Sequence, residues 1–292
     1  MPSLLDVAQL ADWRRDGVLV MPGFARAEAI AALRQRAAEI VEAFQTEAGA
    51  AVFSSRDRAA LSQHALIESA AEVRCFFEEE AFDASGRLAV DKARAINKIG
   101  HALHDRDPVF DRFSRDPRLA ALAADLGFVE PLLMQSMLIF KQPRIGGEVV
   151  WHQDASFLVT EPRTVIGLWF ALEDATCDNG CLWVAPGGHR GPLRERYGRR
   201  DDGTLAMERL DDTPWPSGHA TRPLEVEAGT LVVLDGLLPH ASAPNRSNRS
   251  RMAYTLHVVD GRATWWPGNW LQRSADDPAR GFFSRGRPRD GA

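Results

Sequence analysis

From Pro131 onward the chain breaks into short apolar runs. They fall at 132–140, 148–152, 165–172, 181–184, 229–234 and 252–259, rich in β-branched and aromatic residues and bounded by Gly, Pro or Asn. Runs of that length and composition read as strands, with the breakers between them supplying turns. Many short strands without intervening helical patterns pack as a closed or double-layered β structure. The first 130 residues have another rhythm. Ile30, Leu33, Ala37, Ile40, Val41 and Phe44 recur at helical spacing, predicting a helix from Ala27 to about Ala48. Helices are also expected over 6–15, over 56–82 with Ile67, Ala71, Cys75 and Phe76 as the buried stripe, and over 117–126, where Asp116-Pro117 opens the first turn. Val18 to Phe24 reads as a first strand. The fold class that follows is α+β: a double-stranded β-helix (jelly roll, cupin-like) buttressed by N-terminal helices. We expect one domain over 1–292, with 1–130 the mainly helical buttress, 131–262 the jelly-roll core and 263–292 a C-terminal tail.

Inside that β half one stretch carries chemistry. In Trp151-His152-Gln153-Asp154-Ala155, His152 and Asp154 stand at i and i+2, which on a strand points both side chains to one face. An imidazole beside a carboxylate can take two adjacent corners of a metal's coordination sphere. Leu237-Leu238-Pro239-His240 offers a second imidazole just after another apolar run. Two His and one carboxylate, with the opposite positions open, form the ligand set of non-heme Fe(II) oxygenases. Taken alone, a bare His-x-Asp reads better as a strand-edge His hydrogen-bonded to its neighbour. What favours the metal is Arg251, at the head of an alternating segment that can pair beside the strand ending near His240. An inward guanidinium needs an anion, and a carboxylate taken bidentately fits. Lys98, in the otherwise apolar 95–104 stretch, offers a second cation for the same anion. His101 and His104 beside it read as structural.

Composition narrows the partners. Of the 292 residues 26% are charged, with a net charge of −5, which argues against nucleic acid or an anionic membrane surface as the main partner. The three cysteines, Cys75, Cys177 and Cys181, are too few and odd in number for a disulfide framework. They read as buried thiols in a reducing, cytoplasmic setting. No basic-then-apolar leader and no membrane-length apolar run is visible. The Arg-rich 190–216 stretch reads as a surface excursion, and Trp265, Trp266 and Trp270 as packing on the outside of the barrel. Residues past Asp276 are expected to be loosely ordered. Asp178-Asn179-Gly180 signals a tight turn between strands.

Longer runs are more specific than the triad. Ile96-Asn97-Lys98-Ile99-Gly100-His101, Gln135-Ser136-Met137, Ile139-Phe140-Lys141-Gln142-Pro143, His152-Gln153-Asp154-Ala155-Ser156-Phe157, Asn179-Gly180-Cys181-Leu182-Trp183 and Arg249-Ser250-Arg251 together make nearly the whole chain resemble the phytanoyl-CoA dioxygenase family of Fe(II)/2-oxoglutarate oxygenases. The resemblance implies iron held by His152, Asp154 and His240. It implies 2-oxoglutarate surrounded by Lys98, Met137, Trp169, Ser242 and Arg251, with O2 as co-substrate and a small-molecule substrate hydroxylated. Met137 and Trp169 would be core residues in any barrel, and Ser242 could be a strand-cap hydroxyl. Two other readings stay open: a cupin-like metal protein of another class, such as an isomerase or hydrolase, and a non-catalytic binding relative. Oligomeric state is not legible.

Overall fold

The computed structural model describes residues 3–45, 52–53 and 63–283. Its larger sheet runs in the order Val18–Met21, Leu231–Asp235, Ile166–Ala171, Arg251–Asp260, Pro131–Lys141, Ile96–His101, Val73–Glu78 and Val52–Phe53, and Arg280–Gly281 also pairs with Pro131–Lys141. A smaller sheet runs Arg222–Leu224, Leu182–Val184, His240–Ser242 and Val149–His152. Six of them, Pro131–Lys141, Val149–His152, Ile166–Ala171, Leu182–Val184, Leu231–Asp235 and Arg251–Asp260, are the strands the apolar runs predict, displaced by at most two residues at an end. The architecture is the expected jelly roll, built as two sheets and not as a closed barrel.

Side-chain alternation divides the core in two. Along Ile166–Ala171, Leu168 and Phe170 join the helix-side core, whereas Trp169 and Ala171 lie in the apolar layer between the sheets. Along Leu231–Asp235, Leu231 and Val233 face the helices while Val232 and Leu234 face the smaller sheet. The same period of two governs Arg251–Asp260: Tyr254, Leu256 and Val258 pack outward, and Ala253 packs inward. The helix Ala27–Ala43 sets Ile30, Leu33, Ala37 and Val41 on the outer face of the large sheet, and Pro117–Asp125 adds Leu119 and Leu122. Full burial of one such Leu or Ile contributes about 1.5–3 kcal/mol, so this layer is a main source of stability. The ends of the helices follow local chemistry. Asp6 and Gln9 form a capping box before Val7–Asp16, and Gly17 stops that helix at φ 71°, a left-handed conformation.

Four expectations fail. The 56–82 helix is only Gln63–Glu68 plus 3₁₀ turns at Ser69–Ala71 and Glu79–Ala81, with a strand, Val73–Glu78, between those turns; residues 54–62 lie outside the described residues. Phe76 and Phe77 are both fully buried, which a one-sided helix could not achieve but a strand buried on both faces does. Cys177 is exposed, whereas Cys75 and Cys181 are buried as expected. Residues 190–216 are not a bare excursion: Glu195–Arg199 and Leu205–Arg209 form a hairpin whose Tyr197 and Leu205 are buried, and Arg194 is buried too. The tail is likewise anchored beyond Asp276, through Arg280–Gly281 and buried Phe282, up to the last described residue. No described helix is long and apolar enough to cross a membrane.

Candidate metal centre and its two cavities

The space between the sheets is where the singled-out residues meet. His152 ends one strand of the smaller sheet and His240 begins its neighbour, and the two are paired in register with ring centroids 4.1 Å apart. Asp154 is not on the strand, as the i, i+2 argument supposed. The strand stops at His152, and Asp154 opens a 3₁₀ turn, Asp154–Ser156. The turn is pinned from several sides. Gln153 donates to the carbonyls of Pro192 and Leu237 and accepts from the amide of Arg194, and the amide of Ala155 donates to Gly236. Asp154 therefore reaches the same centre by another backbone route. Asp154 Oδ1 lies 3.8 Å from His152 Nε2 and 3.7 Å from His240 Nε2, and the three ligand atoms all lie within 4.8 Å of one another.

The donor set suits a divalent transition metal. His152 Nδ1 is 2.9 Å from the carbonyl of Val150, and His240 Nδ1 is 3.0 Å from that of Leu238. A carbonyl can only accept, so each Nδ1 carries the proton and each Nε2 presents its lone pair to the centre. Asp154 is the anion. Burial alone would raise its pKa, but His257 and then His240 outweigh that and hold it well below the usual carboxylate range.

Two cavities meet at His152, Asp154 and His257. The smaller is lined by Trp169, Ser242 and Arg251. Arg251 does not come from a strand beside His240, as the sequence suggested. Its strand lies in the large sheet, between Ile166–Ala171 and Pro131–Lys141, so the guanidinium crosses the gap from the opposite layer. It is 1% exposed, and its Nε donates to the carbonyl of Gly180 at 3.1 Å and its Nη2 to Ser242 Oγ at 3.2 Å. Nη1 has no partner. The indole of Trp169 lies 5.5 Å from the guanidinium carbon, and burial pushes the Arg251 pKa down to about 10. Lys141, its register partner, is 1% exposed, and burial followed by repulsion from Arg251 lowers its pKa well below the ordinary amine value. A buried donor with nothing to donate to, next to a second cation, is a place for a carboxylate.

The larger cavity, of about 160 Å³, is lined mostly by apolar side chains, among them Phe157, Leu158 and Trp270. Lys98 lies here, not beside Arg251, and Met137 borders both cavities. Trp270 is thus not an outside packer: it is 3% exposed and edge-on to His101. His101 and His104 are structural, held by Ser69 and Ser136 respectively. The residues the sequence reading passed over are His257, Gln135 and Tyr197. For the first two the signal was available: His257 is six residues from Arg251 on one strand and Gln135 two from Met137 on another, so each shares an inward face. Nothing in the chain's pattern marked Tyr197.

The family profile described as Phytanoyl-CoA dioxygenase (PhyH) matches residues 13–253. An Arabidopsis thaliana protein called Phytanoyl-CoA dioxygenase is 42% identical over 269 residues, covering 91% of this chain and 93% of its own. The mouse Phytanoyl-CoA dioxygenase domain-containing protein 1 is 40% identical over 290 residues, covering 97% of this chain and 100% of its own. Among solved structures, EctD from S. alaskensis, determined with 2-oxoglutarate and 5-hydroxyectoine, superposes with a TM-score of 0.62 at 22% identity, covering 98% of this chain and 89% of that one. The non-heme alpha ketoglutarate dependent carbocyclase SnoK from nogalamycin biosynthesis gives 0.63 at 20% identity, covering 99% and 95%. At such identities the two structures speak for the fold.

Proposed function

The chain belongs to the phytanoyl-CoA dioxygenase family and is an Fe(II)- and 2-oxoglutarate-dependent oxygenase; we propose that it hydroxylates a C–H bond of a small organic or acyl substrate, releasing succinate and carbon dioxide. In this reading His152, Asp154 and His240 hold the iron, and Lys98, Met137, Trp169, Ser242 and Arg251 surround the 2-oxoglutarate. The whole chain acts as a single catalytic domain, in the cytoplasm.

The observation that carries the reading is the unpartnered Nη1 of buried Arg251 beside the His-Asp-His cluster. An isomerase or hydrolase on the same ligands has no need of a buried, unpaired guanidinium there. Iron with 2-oxoglutarate and dioxygen supplies an oxidant strong enough to take hydrogen from an unactivated carbon. The protein's own share is positional. The two imidazoles are locked in one tautomer by the Val150 and Leu238 carbonyls. Arg251 and Ser242 fix the co-substrate's far carboxylate, with Trp169 limiting the guanidinium's swing, and Lys98 adds a second cation from the larger cavity. The apolar walls of that cavity hold the substrate and exclude water, which protects the oxidant from side reactions. Keeping Asp154 as a ligand leaves no vacancy for chloride, which favours hydroxylation over halogenation.

The test is succinate formation from 2-oxoglutarate by protein loaded anaerobically with Fe(II) and protected by ascorbate, with and without a panel of small acids and acyl compounds. Turnover that Asp154→Ala abolishes supports the reading. No turnover by the wild type across the panel, with iron bound, favours the non-catalytic relative.

A further inference from the structure

We propose that His257, seated opposite Gly167, is the positioning residue that keeps Asp154 a one-oxygen ligand. The inference rests on the iron-site reading above and concerns the carboxylate oxygen which that reading leaves unused. Asp154 Oδ1 faces both Nε2 atoms of the cluster, while its Oδ2 lies 3.3 Å from His257 Nε2. His257 is 5% exposed and sits on a strand paired on both sides, so its inward direction is fixed by the ladder. Its partner across that ladder is Gly167. A Cβ built on Gly167 would stand 2.6 Å from Asp154 Oδ2, closer than real contacts allow. The second carboxylate oxygen therefore occupies the space a side chain at 167 would fill, and His257 closes it in.

Coordination arithmetic gives this arrangement a purpose. Two imidazoles and one carboxylate oxygen take three positions of an octahedral ion and leave three. A 2-oxo-acid chelate would need two of these and leave the third open. A carboxylate bound through both oxygens would remove one. An N–H at His257 Nε2, 3.3 Å from Oδ2, engages one lone pair of that oxygen and holds it away from the common centre. It also fixes the tautomer of His257, whose buried Nδ1 has no partner among the described residues. His257 itself is not one of the clustered ligand atoms, so it is not a fourth ligand in waiting. Outer partners of this kind typically alter metal affinity by about 10–100-fold.

The experiment is an anaerobic Co(II) titration of the full-length chain, stripped of metal, in the presence of 2-oxoglutarate. It reads the dissociation constant and the visible d–d spectrum, which reports coordination number. His257→Leu should weaken Co(II) by about 10–100-fold and change the intensity of the d–d bands. His257→Gln, whose amide can still donate to Oδ2, should recover most of the affinity. Gly167→Ala, which keeps His257 but crowds Oδ2, should repeat the loss. Thermal unfolding of the metal-free variants, matching the wild type, separates positioning from misfolding. Wild-type affinity and spectrum in His257→Leu, or a His257→Gln as weak as His257→Leu, overturns the proposal and leaves the iron-site reading standing. A wild type that takes up no Co(II) overturns both.

Discussion

Replacing Arg251 with Met separates what the site costs from what it does. Met is of similar length, flexible and apolar, so it fills the space with little strain. In the ligand-free protein the guanidinium is buried and incompletely paired, and its pKa has fallen to about 10. One pKa unit is worth about 1.4 kcal/mol, so keeping the charge there costs on the order of 3 kcal/mol. The substitution removes that cost and also the bonds to Gly180 and Ser242. Those acceptors are not orphaned, because Ser242 Oγ itself donates to the Gly180 carbonyl at 2.9 Å. Losing the two long bonds costs roughly 2 kcal/mol together. The metal- and co-substrate-free variant should therefore be more stable by about 1 kcal/mol, a rise of about 1.5–2 °C in Tm for a chain of this length. The sign of the pH dependence follows. A base whose folded pKa is depressed penalises the fold fully below that value, and the penalty fades as pH climbs from about 10 towards the ordinary guanidinium range. The variant's advantage should thus be flat from pH 6 to 9 and shrink above about pH 10. Binding should move the other way. Losing a buried charged partner costs about 3–4 kcal/mol, or two to three orders of magnitude in the dissociation constant for 2-oxoglutarate. Calorimetric unfolding and an anaerobic titration with Fe(II) measure the two effects. A variant that loses stability yet binds 2-oxoglutarate within fivefold of wild type would refute the reasoning.

Trp169→Leu removes the ring facing Arg251 and should raise the KM for 2-oxoglutarate by about 3–30-fold, with little change in kcat, as steady-state succinate release would show. Lys141→Met should behave oppositely to Arg251→Met: the ammonium donates to the carbonyls of Gly147, Ser242 and Ala243, so its loss strands acceptors and should lower stability by about 2–4 kcal/mol in urea unfolding. Leu256→Ala, on the helix-facing side of the strand that carries Arg251, should cost about 2–5 kcal/mol of stability while Co(II) and 2-oxoglutarate affinities, measured well below Tm, stay within about threefold of wild type.

What the chain disclosed and what it withheld follow from one distinction. Six strands between 131 and 260 were legible because alternation and turn residues are local signals, and so was the helix Ala27–Ala43; the hairpin Glu195–Arg199 with Leu205–Arg209 was not, because its residues are mostly polar. Val73–Glu78 was not, because Ile67, Ala71 and Cys75 mimic helical spacing, and only the open edge of Ile96–His101 decides the matter. Position in the site showed the same limit. His152 and His240 were found by residue type, but their pairing in register is a property of the sheet. Asp154 lies in the His-Asp-His cluster, but by a different local route from the one the sequence suggested, since the turn that carries it is set by Gln153 contacts 39 and 84 residues away in the chain. Arg251 was predicted to point inward, yet the layer it points from depended on strand order, which no local pattern encodes.

The strand Arg251–Asp260 shows why the helices and the metal centre belong to one design. Residue parity assigns its side chains: Arg251, Thr255 and His257 enter the site, and Tyr254, Leu256 and Val258 enter the helix-side core. The inward set is expensive, because it buries a cation and an imidazole with unpartnered nitrogens. The outward set supplies the compensation: Tyr254 is fully buried against Phe110, Phe113 and Phe170, with its hydroxyl 2.7 Å from Ser114 Oγ. A sheet with one face in water would have far less apolar burial with which to hold such a strand straight. Covering that face with Ala27–Ala43, Pro108–Ser114 and Pro117–Asp125 lets the opposite face carry charges that weaken the fold until a carboxylate and a metal ion arrive to pair with them.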